Sequence, residues 1–265
     1  MATFILRVWL PDRPGALGQV ASRVGAVGGD LVGIDILERG GGRAIDELVV
    51  DLPSDGLPSH DLVQLMVNEI AQVDGVDVED VRPAAGARRD PRLDALETAA
   101  ILVGAETPDA SVRALCEHAV RTLGAEWAVV VDAVAAEISA SEGPVPDVAW
   151  LCAYLEGSSL SARLAPNGHG HGSDDVAWAP LPGAGTAFAV GRGGMPFRAR
   201  ERRQVAALAR IVDARFRDLM RSRCRALHPS MTRSDGAADR EPPSEAGGQS
   251  VAQVRALSTA RSHRP

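Results

Sequence analysis

Lysine is absent from this chain of 265 residues, and each of its 28 basic residues is an arginine. Because the chain is also rich in glycine and alanine, we interpret this bias as a property of the coding sequence rather than a signal for binding. Aromatic residues account for only 3% of the chain, and no helix-turn-helix pattern is present. A nucleic-acid partner is therefore not expected, since it would need a groove-reading helix or stacking side chains.

Cysteine is scarce as well. Cys116, Cys152 and Cys224 are odd in number, lie far apart and form no CxxC pair. This spacing argues against both a disulfide framework and a zinc-binding pattern. We expect three reduced thiols, and we expect no metal or other cofactor.

Long apolar runs are also missing. None reaches the roughly 20 residues that a membrane-spanning helix requires. Residues 1–10 contain a short apolar stretch that Arg7 interrupts and Pro11 ends, which is not the shape of a secretory signal peptide. We expect a soluble, cytoplasmic protein without a membrane partner.

The length and the 45% hydrophobic content predict two modest domains. The net charge is −8 over residues 1–86, −7 over residues 87–195 and +8 over residues 196–265. An acidic body with a basic end lacks the concentrated basic face that phosphate binding requires on a folded element. The charge distribution therefore does not indicate a nucleic-acid-binding domain.

The first 83 residues alternate between strand patterns and helix patterns. The patterns run in the order strand 4–10, helix 14–27, strands 30–39 and 44–52, helix 61–73 and strand 76–81. This β-α-β-β-α-β order predicts a ferredoxin-like domain, in which two helices cover one face of a four-stranded antiparallel sheet. The fold alone does not indicate a function, because it serves many tasks.

The turn after the first strand carries more information. Residues 10–17 read LPDRPGAL, and residues 28–31 read GGDL at the start of the second strand. These two segments resemble the ACT domain family over residues 3–83. The resemblance implies a free amino acid bound at an interface between two paired domains, and therefore a homodimer. It also implies the ligand-binding residues Leu10, Asp12, Arg13, Pro14, Gly15, Ala16, Leu17, Asp30 and Leu31.

The chemistry of these residues suits an amino acid. Gly15 lets the backbone approach a ligand closely, and amides at the start of a helix favour a carboxylate. Asp12 and Asp30 can accept hydrogen bonds from an ammonium group, and their charge favours a neutral or basic amino acid over Asp or Glu. Members of the family that bind ligands often have asparagine at these two positions. Alternatively, the same residues only shape the turn, and the domain serves dimerisation.

The second half resembles a GAF domain, an α/β fold with a central antiparallel sheet. The resemblance rests on the order of elements and on Phe197, the run 201–204 (ERRQ) and Leu208-Ala209. The predicted elements are helices near 93–103 and 108–123, strands 127–131, 176–181 and 186–190, a turn at 191–194 and a long helix over 197–219. No residue identifies a ligand for this domain, and a purely structural role is an equal alternative.

Several other groups of residues have ordinary explanations. His169 and His171 lie in a glycine-rich loop whose ordering cost argues against a metal site. Cys116 and His118 are two positions apart on a helix, so they point to different faces and cannot act as a nucleophile and base. For the arginines of the last helix, a solvated face that pairs with its mate in a dimer is favoured over a contact for nucleic acid or an acidic partner. These residues are Arg198, Arg200, Arg202, Arg203, Arg210, Arg215, Arg217, Arg221, Arg223 and Arg225.

The predicted organisation is an ACT-like domain over residues 1–83, a linker over 84–90, a GAF-like domain over 91–226 and a disordered tail over 227–265. The predicted function is non-catalytic sensing of an amino acid, passed on to an unidentified downstream protein. One alternative is a structural or adaptor protein that uses both domains only for assembly. Another is an enzyme that uses Cys152 or the His169 and His171 loop.

Overall fold

The computed structural model describes residues 1–54, 59–84, 91–164 and 173–227. It shows an α+β fold with two antiparallel four-stranded sheets. The elements are β1 (Ala2–Pro11), α1 (Ala16–Ala26), β2 (Asp30–Gly40), β3 (Arg43–Leu52), α2 (Ser59–Ile70), β4 (Asp77–Pro83), α3 (Pro91–Gly104), α4 (Pro108–Leu123), β5 (Trp127–Asp132), β6 (Glu137–Glu142), α5 (Val148–Leu164), β7 (Val176–Leu181), β8 (Thr186–Gly191) and α6 (Ala199–Leu227).

The chain divides into two units, Met1–Cys224 and Arg225–Pro265. Both sheets belong to the first unit. Of the second unit, the described residues include only the last three residues of α6.

The first sheet has the strand order β2-β3-β1-β4. Its centre is the pairing of β1 with β3, which runs from Ala2 opposite Leu52 to Pro11 opposite Arg43. Alternate side chains of these two strands point toward α1 and α2, because successive residues of a strand face opposite sides. The resulting core contains Leu6, Val8, Leu10, Leu48, Val50, Ala16, Val20, Val24, Leu62, Met66 and Ile70.

The second sheet has the order β6-β5-β8-β7. Strand β5 is apolar along its length because both of its faces are covered. Ala128 and Val130 belong to the core formed with α4 and α6, whereas Val129 and Val131 belong to the core formed with α5. This two-sided burial explains why the sequence of β5 is a continuous apolar run rather than an alternating one.

Local sequence explains several element ends. Thr107 caps α4, because its hydroxyl accepts a hydrogen bond from the amide of Ala110 at 3.1 Å. The same helix stops at Gly124, whose φ of 58° suits a residue without a side chain. Gly41 and Gly42 join β2 to β3 with φ values of 59° and 76°, which a two-residue hairpin turn requires at both positions.

The patterns in the first 83 residues correspond to six elements whose ends differ by three residues at most from those predicted. In the second half, the helices and strands near 93–131 and 176–219 are also present. The sequence pattern does not predict strand β6 or helix α5, because β6 is short and largely exposed and α5 has little separation of polar and apolar faces.

The predicted linker at 84–90 and tail at 227–265 fall almost wholly outside the described residues. Among those described, no helix is both long and apolar enough to cross a membrane.

Alanine substitutions at two glycines test this packing, because we expect them to change the free energy of unfolding in opposite directions. A Cβ at Gly191, at the end of β8, would lie 2.1 Å from the ring of Trp127, whereas a Cβ at Gly157 in α5 would meet no atom within 4 Å. We expect Gly191→Ala to lower the free energy of unfolding by about 1–3 kcal/mol through overpacking. We expect Gly157→Ala to raise it by about 0.5–1 kcal/mol, because alanine is a better helix former. Urea unfolding of both variants measures the difference, and equal effects would contradict this packing.

Candidate functional site

The turn between β1 and α1 is held by backbone hydrogen bonds at both ends. The amide of Asp12 donates to the carbonyl of Gly42 at 2.9 Å, and the amide of Arg13 donates to the carbonyl of Pro11 at 2.8 Å. Gly15 then precedes α1 with a φ of 88°, a left-handed conformation that glycine adopts without steric cost. The turn is therefore fixed against the β2–β3 hairpin.

The first turn of α1 offers free backbone donors. Gly15 supplies no capping side chain, and no acidic residue lies in the first turn. The amide of Ala16 donates to the carbonyl of Arg13 at 3.3 Å, whereas the amides of Leu17 and Gly18 have no acceptor in the part of the chain that the structure describes. Unpaired amides with the partial positive charge of a helix N-terminus favour a carboxylate group.

Three charged side chains lie at the same end of the sheet. Arg39 at the end of β2 approaches the Asp12 carboxylate at 3.9 Å, and both side chains are partly exposed. Asp46 occupies the helix-facing side of β3, opposite Val8 and Ile36. Burial raises the pKa of the Asp46 carboxyl, the charge of Arg39 lowers that pKa, and the charge of Asp12 raises it.

Asp46 is the unusual member of this group. Its side chain is only 3% exposed, and its Oδ1 atom has no hydrogen-bond partner among the described residues. A buried carboxylate oxygen without a donor is costly to the fold. Carboxyl groups whose pKa is raised by burial are found both at functional sites and in structural ion-pair networks.

The structure places the predicted ligand residues at two opposite ends of the first sheet. Asp12, Arg13, Pro14 and Gly15 are exposed in the turn, and Leu17 is half-buried. Leu10 and Ala16 belong to the core beneath them. Asp30 and Leu31 begin β2, where Asp30 pairs with Asp51.

The separation of these two groups follows from the strand geometry. Asp12 is bonded to Gly42 at one end of β3, whereas Asp30 lies beside Asp51 at the other end. A strand rises about 3.3 Å per residue, so about 30 Å separates them. Within a single chain, Asp30 and Leu31 cannot contact a ligand bound at the turn.

Neither Asp46 nor Arg39 is among the site residues that the sequence predicts. A signal for Asp46 was present, because the neighbouring helix-facing positions of β3 are Ala44, Leu48 and Val50. A charged residue is unusual where the alternation of a strand would place an apolar, buried one. No comparable signal marked Arg39, since its place beside Asp12 depends on the hairpin register.

The second half contains all three cysteines, which differ in burial. Burial raises the pKa of the Cys116 thiol to about 12, which keeps it protonated and unreactive. Cys152 is half-buried on α5, and Cys224 is exposed on α6. The His169 and His171 loop lies outside the described residues. Within them, no group of three or more His, Cys, Asp or Glu side chains could hold a metal ion.

Comparisons with known proteins add little. No family model matches the chain, and no curated protein matches it. One similar solved structure is a formyltetrahydrofolate deformylase from Pseudomonas putida KT2440, with 14% identity and a TM-score of 0.26 over 36% of each chain. Our chain therefore spans about a third of the length of that protein. Another is an unknown protein from Galdieria sulphuraria, with 14% identity, a TM-score of 0.27 and coverage of 80% of this chain and 92% of that one.

The raised pKa of Asp46 generates a prediction on stability. A carboxyl group with a raised pKa in the folded state binds protons more readily there than in the unfolded chain. Its contribution to stability therefore falls as the pH rises from the unfolded pKa of about 3.9 through the folded pKa. Asp46→Asn removes the buried charge, so we expect it to raise Tm by a few degrees at pH 7. Thermal melts at several pH values test this, and a gain that does not shrink toward pH 4 would contradict it. Asp109→Asn, on the first turn of α4, serves as a control without such a gain.

Proposed function

We propose that residues 1–83 form an ACT-type regulatory domain of ferredoxin-like topology that binds a free amino acid, and that the protein is a non-catalytic sensor. The observation that carries the proposal is the turn at residues 12–18. There, the free amides at the start of α1 follow Asp12 in the chain, Asp12 lies 3.9 Å from Arg39, and the charges of both act on the buried carboxyl of Asp46. A site with separate donors for an anion and acceptors for a cation suits a zwitterion.

The roles within the site follow from charge. The amides of Leu17 and Gly18 and the guanidinium of Arg39 bind the ligand carboxylate. Asp12 and Asp46 accept hydrogen bonds from the ligand ammonium, which supplies the donor that Asp46 Oδ1 lacks. A second carboxylate on the ligand would lie close to these acids. We therefore propose a neutral or basic amino acid rather than Asp or Glu.

The sheet topology supports the ACT-type assignment. The strand order β2-β3-β1-β4, with α1 and α2 packed on one face, is the arrangement expected from a β-α-β-β-α-β sequence with a ferredoxin-like fold. In the second half, α4 and α6 on one face of the sheet and α5 on the other support the GAF-like assignment. We assign no ligand to that second sheet.

A homodimer would bring the separated ligand residues together. Strand β2 is an edge of the first sheet, and its Ile34 and Ile36 side chains are 46% and 40% exposed. A two-fold axis that pairs the β2 edges of two copies in antiparallel fashion would place Asp30 of one copy at the same end of the combined sheet as the partner's turn. Exposed apolar residues on an open edge strand suit such pairing.

Two other functions compete with this proposal. A protein used only for assembly would show the same edge strand, but it would not need the buried carboxyl of Asp46. An enzyme would need reactive groups near a cavity, and burial raises the pKa of the Cys116 thiol to about 12. The open edge of β2 supports the first of these alternatives.

Thermal melts with each of the twenty amino acids test the sensing function. A ligand that binds only the folded state at 100 times its Kd stabilises by about 2.7 kcal/mol, and each kcal/mol raises Tm by about 2–4 °C for a chain of this size. We expect such a shift for one or a few neutral or basic amino acids, and we expect Gly15→Val and Asp46→Asn to abolish it. Gly185→Val is a matched control, because Gly185 also has a positive φ and open space around it. No shift with any amino acid would favour the assembly function.

Sedimentation velocity tests the proposed dimer. We expect Ile34→Arg to convert the dimer to a monomer, because the charge would be buried against the partner strand. Ile138→Arg on β6 is the control, since Ile138 is 44% exposed and also lies on an edge strand. A monomeric wild-type protein, or equal effects of the two substitutions, would exclude pairing through β2.

A further inference from the structure

The face of the first sheet opposite α1 and α2 buries a charged residue. Arg7 in the middle of β1 is 0% exposed, and its neighbours Leu6 and Val8 point into the helix-covered core. An arginine is almost never fully buried unless it is paired. Two of its three partners are Pro196, just before α6, and Glu201, in the first turn of α6, which are 189 and 194 positions away in the sequence.

Arg7 and Arg192 share one carboxylate. The Nη2 atom of Arg7 donates to Glu201 Oε1 at 3.0 Å and to Glu47 at 3.2 Å, and its Nη1 atom donates to the carbonyl of Pro196 at 3.0 Å. Arg192 donates to the same Glu201 oxygen at 2.7 Å and to the same Pro196 carbonyl at 3.1 Å. Glu201 is itself buried, with 8% exposure. We call Arg7, Glu47, Arg192 and Glu201 the arginine cluster.

The other strands of the first sheet also contact this segment. Asp35 of β2 pairs with Arg200, and Glu79 of β4 pairs with Arg198. Arg82 of β4 donates to Glu47 at 2.6 Å and to the sulfur of Met195 at 3.2 Å. Three of the four strands, β1, β2 and β4, therefore contact residues 195–201 directly, and β3 joins them through Glu47, which accepts from Arg7 and Arg82.

The turn and the arginine cluster are joined by one strand and one aromatic ring. Trp9 lies two residues beyond Arg7 on β1, and the guanidinium groups of Arg198 and Arg43 stand 5.0 Å and 5.2 Å from the centre of its ring. Arg43 is opposite Pro11 in the sheet register, next to the hydrogen bond between Asp12 and Gly42. A change in the turn thus reaches Arg198 through a continuous set of contacts.

We infer that the arginine cluster couples the turn at residues 12–18 to the first turns of α6, so that the state of one site changes the stability of the other. The part of this inference that concerns amino-acid signalling rests on the proposed function. In that case α6 is the element that responds to the state of the turn and passes it on, rather than a separate linker. Because coupling free energies are reciprocal, weakening the cluster must also loosen the turn.

Hydrogen exchange in the ligand-free protein tests the coupling directly. Glu201→Gln removes the charge that Arg7 and Arg192 share. We expect it to speed exchange of the amides of Asp12 and Gln19, which are hydrogen-bonded in and beside the turn, by about fivefold or more. Arg210→Gln is the matched control, because Arg210 is exposed on α6 away from the cluster. Faster exchange in α6 with an unchanged turn would overturn the inference.

A milder variant covers the case in which Glu201→Gln does not fold. Asp35→Asn breaks only the half-exposed pair with Arg200, and the same direction of change at the turn is expected with a smaller amplitude. An unchanged turn in a folded Asp35→Asn protein would count against the coupling in the same way.

An amino acid that raises Tm extends the test. In the wild type it should slow exchange at residues 202–205 of α6, and Glu201→Gln should still bind it but lose that effect. Binding without any change in α6 would overturn the inference and leave the proposed function intact. If no amino acid binds, the proposed function fails, whereas the ligand-free measurement still decides the coupling.

Discussion

The contact between the Arg7 guanidinium and the Glu201 carboxylate unites the two sheets. Without this contact, Arg7 would lie at the centre of the sheet face opposite α1 and α2 with no carboxylate from α6 to pair with it. A pair of charges taken out of water needs good geometry and additional hydrogen bonds to offset the loss of hydration. Here the carbonyl of Pro196 and the carboxylate of Glu47 supply such bonds to Arg7. One donor remains unsatisfied, since the buried Nε of Arg7 has no partner among the described residues.

A buried network of this kind contributes more to geometry than to net stability. Apolar residues of equal volume often stabilise as well as a buried ion pair, whereas removing one partner is costly because it leaves a charge without compensation. The arginine cluster therefore specifies how the start of α6 meets the first sheet. Glu201 also caps the first turn of α6, because its second carboxylate oxygen accepts a hydrogen bond from the amide of Arg198 at 2.8 Å.

At the candidate site, by contrast, a buried charged residue lowers stability at a place where a ligand is proposed to bind. Asp46 occupies a core position of β3 where an apolar residue would serve the fold better, and its Oδ1 lacks a donor. The charge of Arg39 offsets part of this cost, but burial still raises the pKa of the Asp46 carboxyl overall. The free amides of α1 and the guanidinium of Arg39 at the same end of the sheet complement it with positive charge. An unsatisfied polar group at one end of a well-packed sheet is what the binding site proposed above would have before its ligand arrives.

The sequence by itself determined the local elements of the first half, including the turn before α1 and the glycine hairpin between β2 and β3. These depend on burial periodicity and on backbone angles that each residue sets for itself. It did not reveal β6 or α5, whose burial patterns are weak. Only the tertiary structure decided that Arg7 meets Glu201, 194 positions away, that Asp46 lies near Asp12, and that Asp30 lies at the far end of the sheet. Such pairings are not encoded locally, because strand register and the docking of one layer on another determine which distant charges become neighbours.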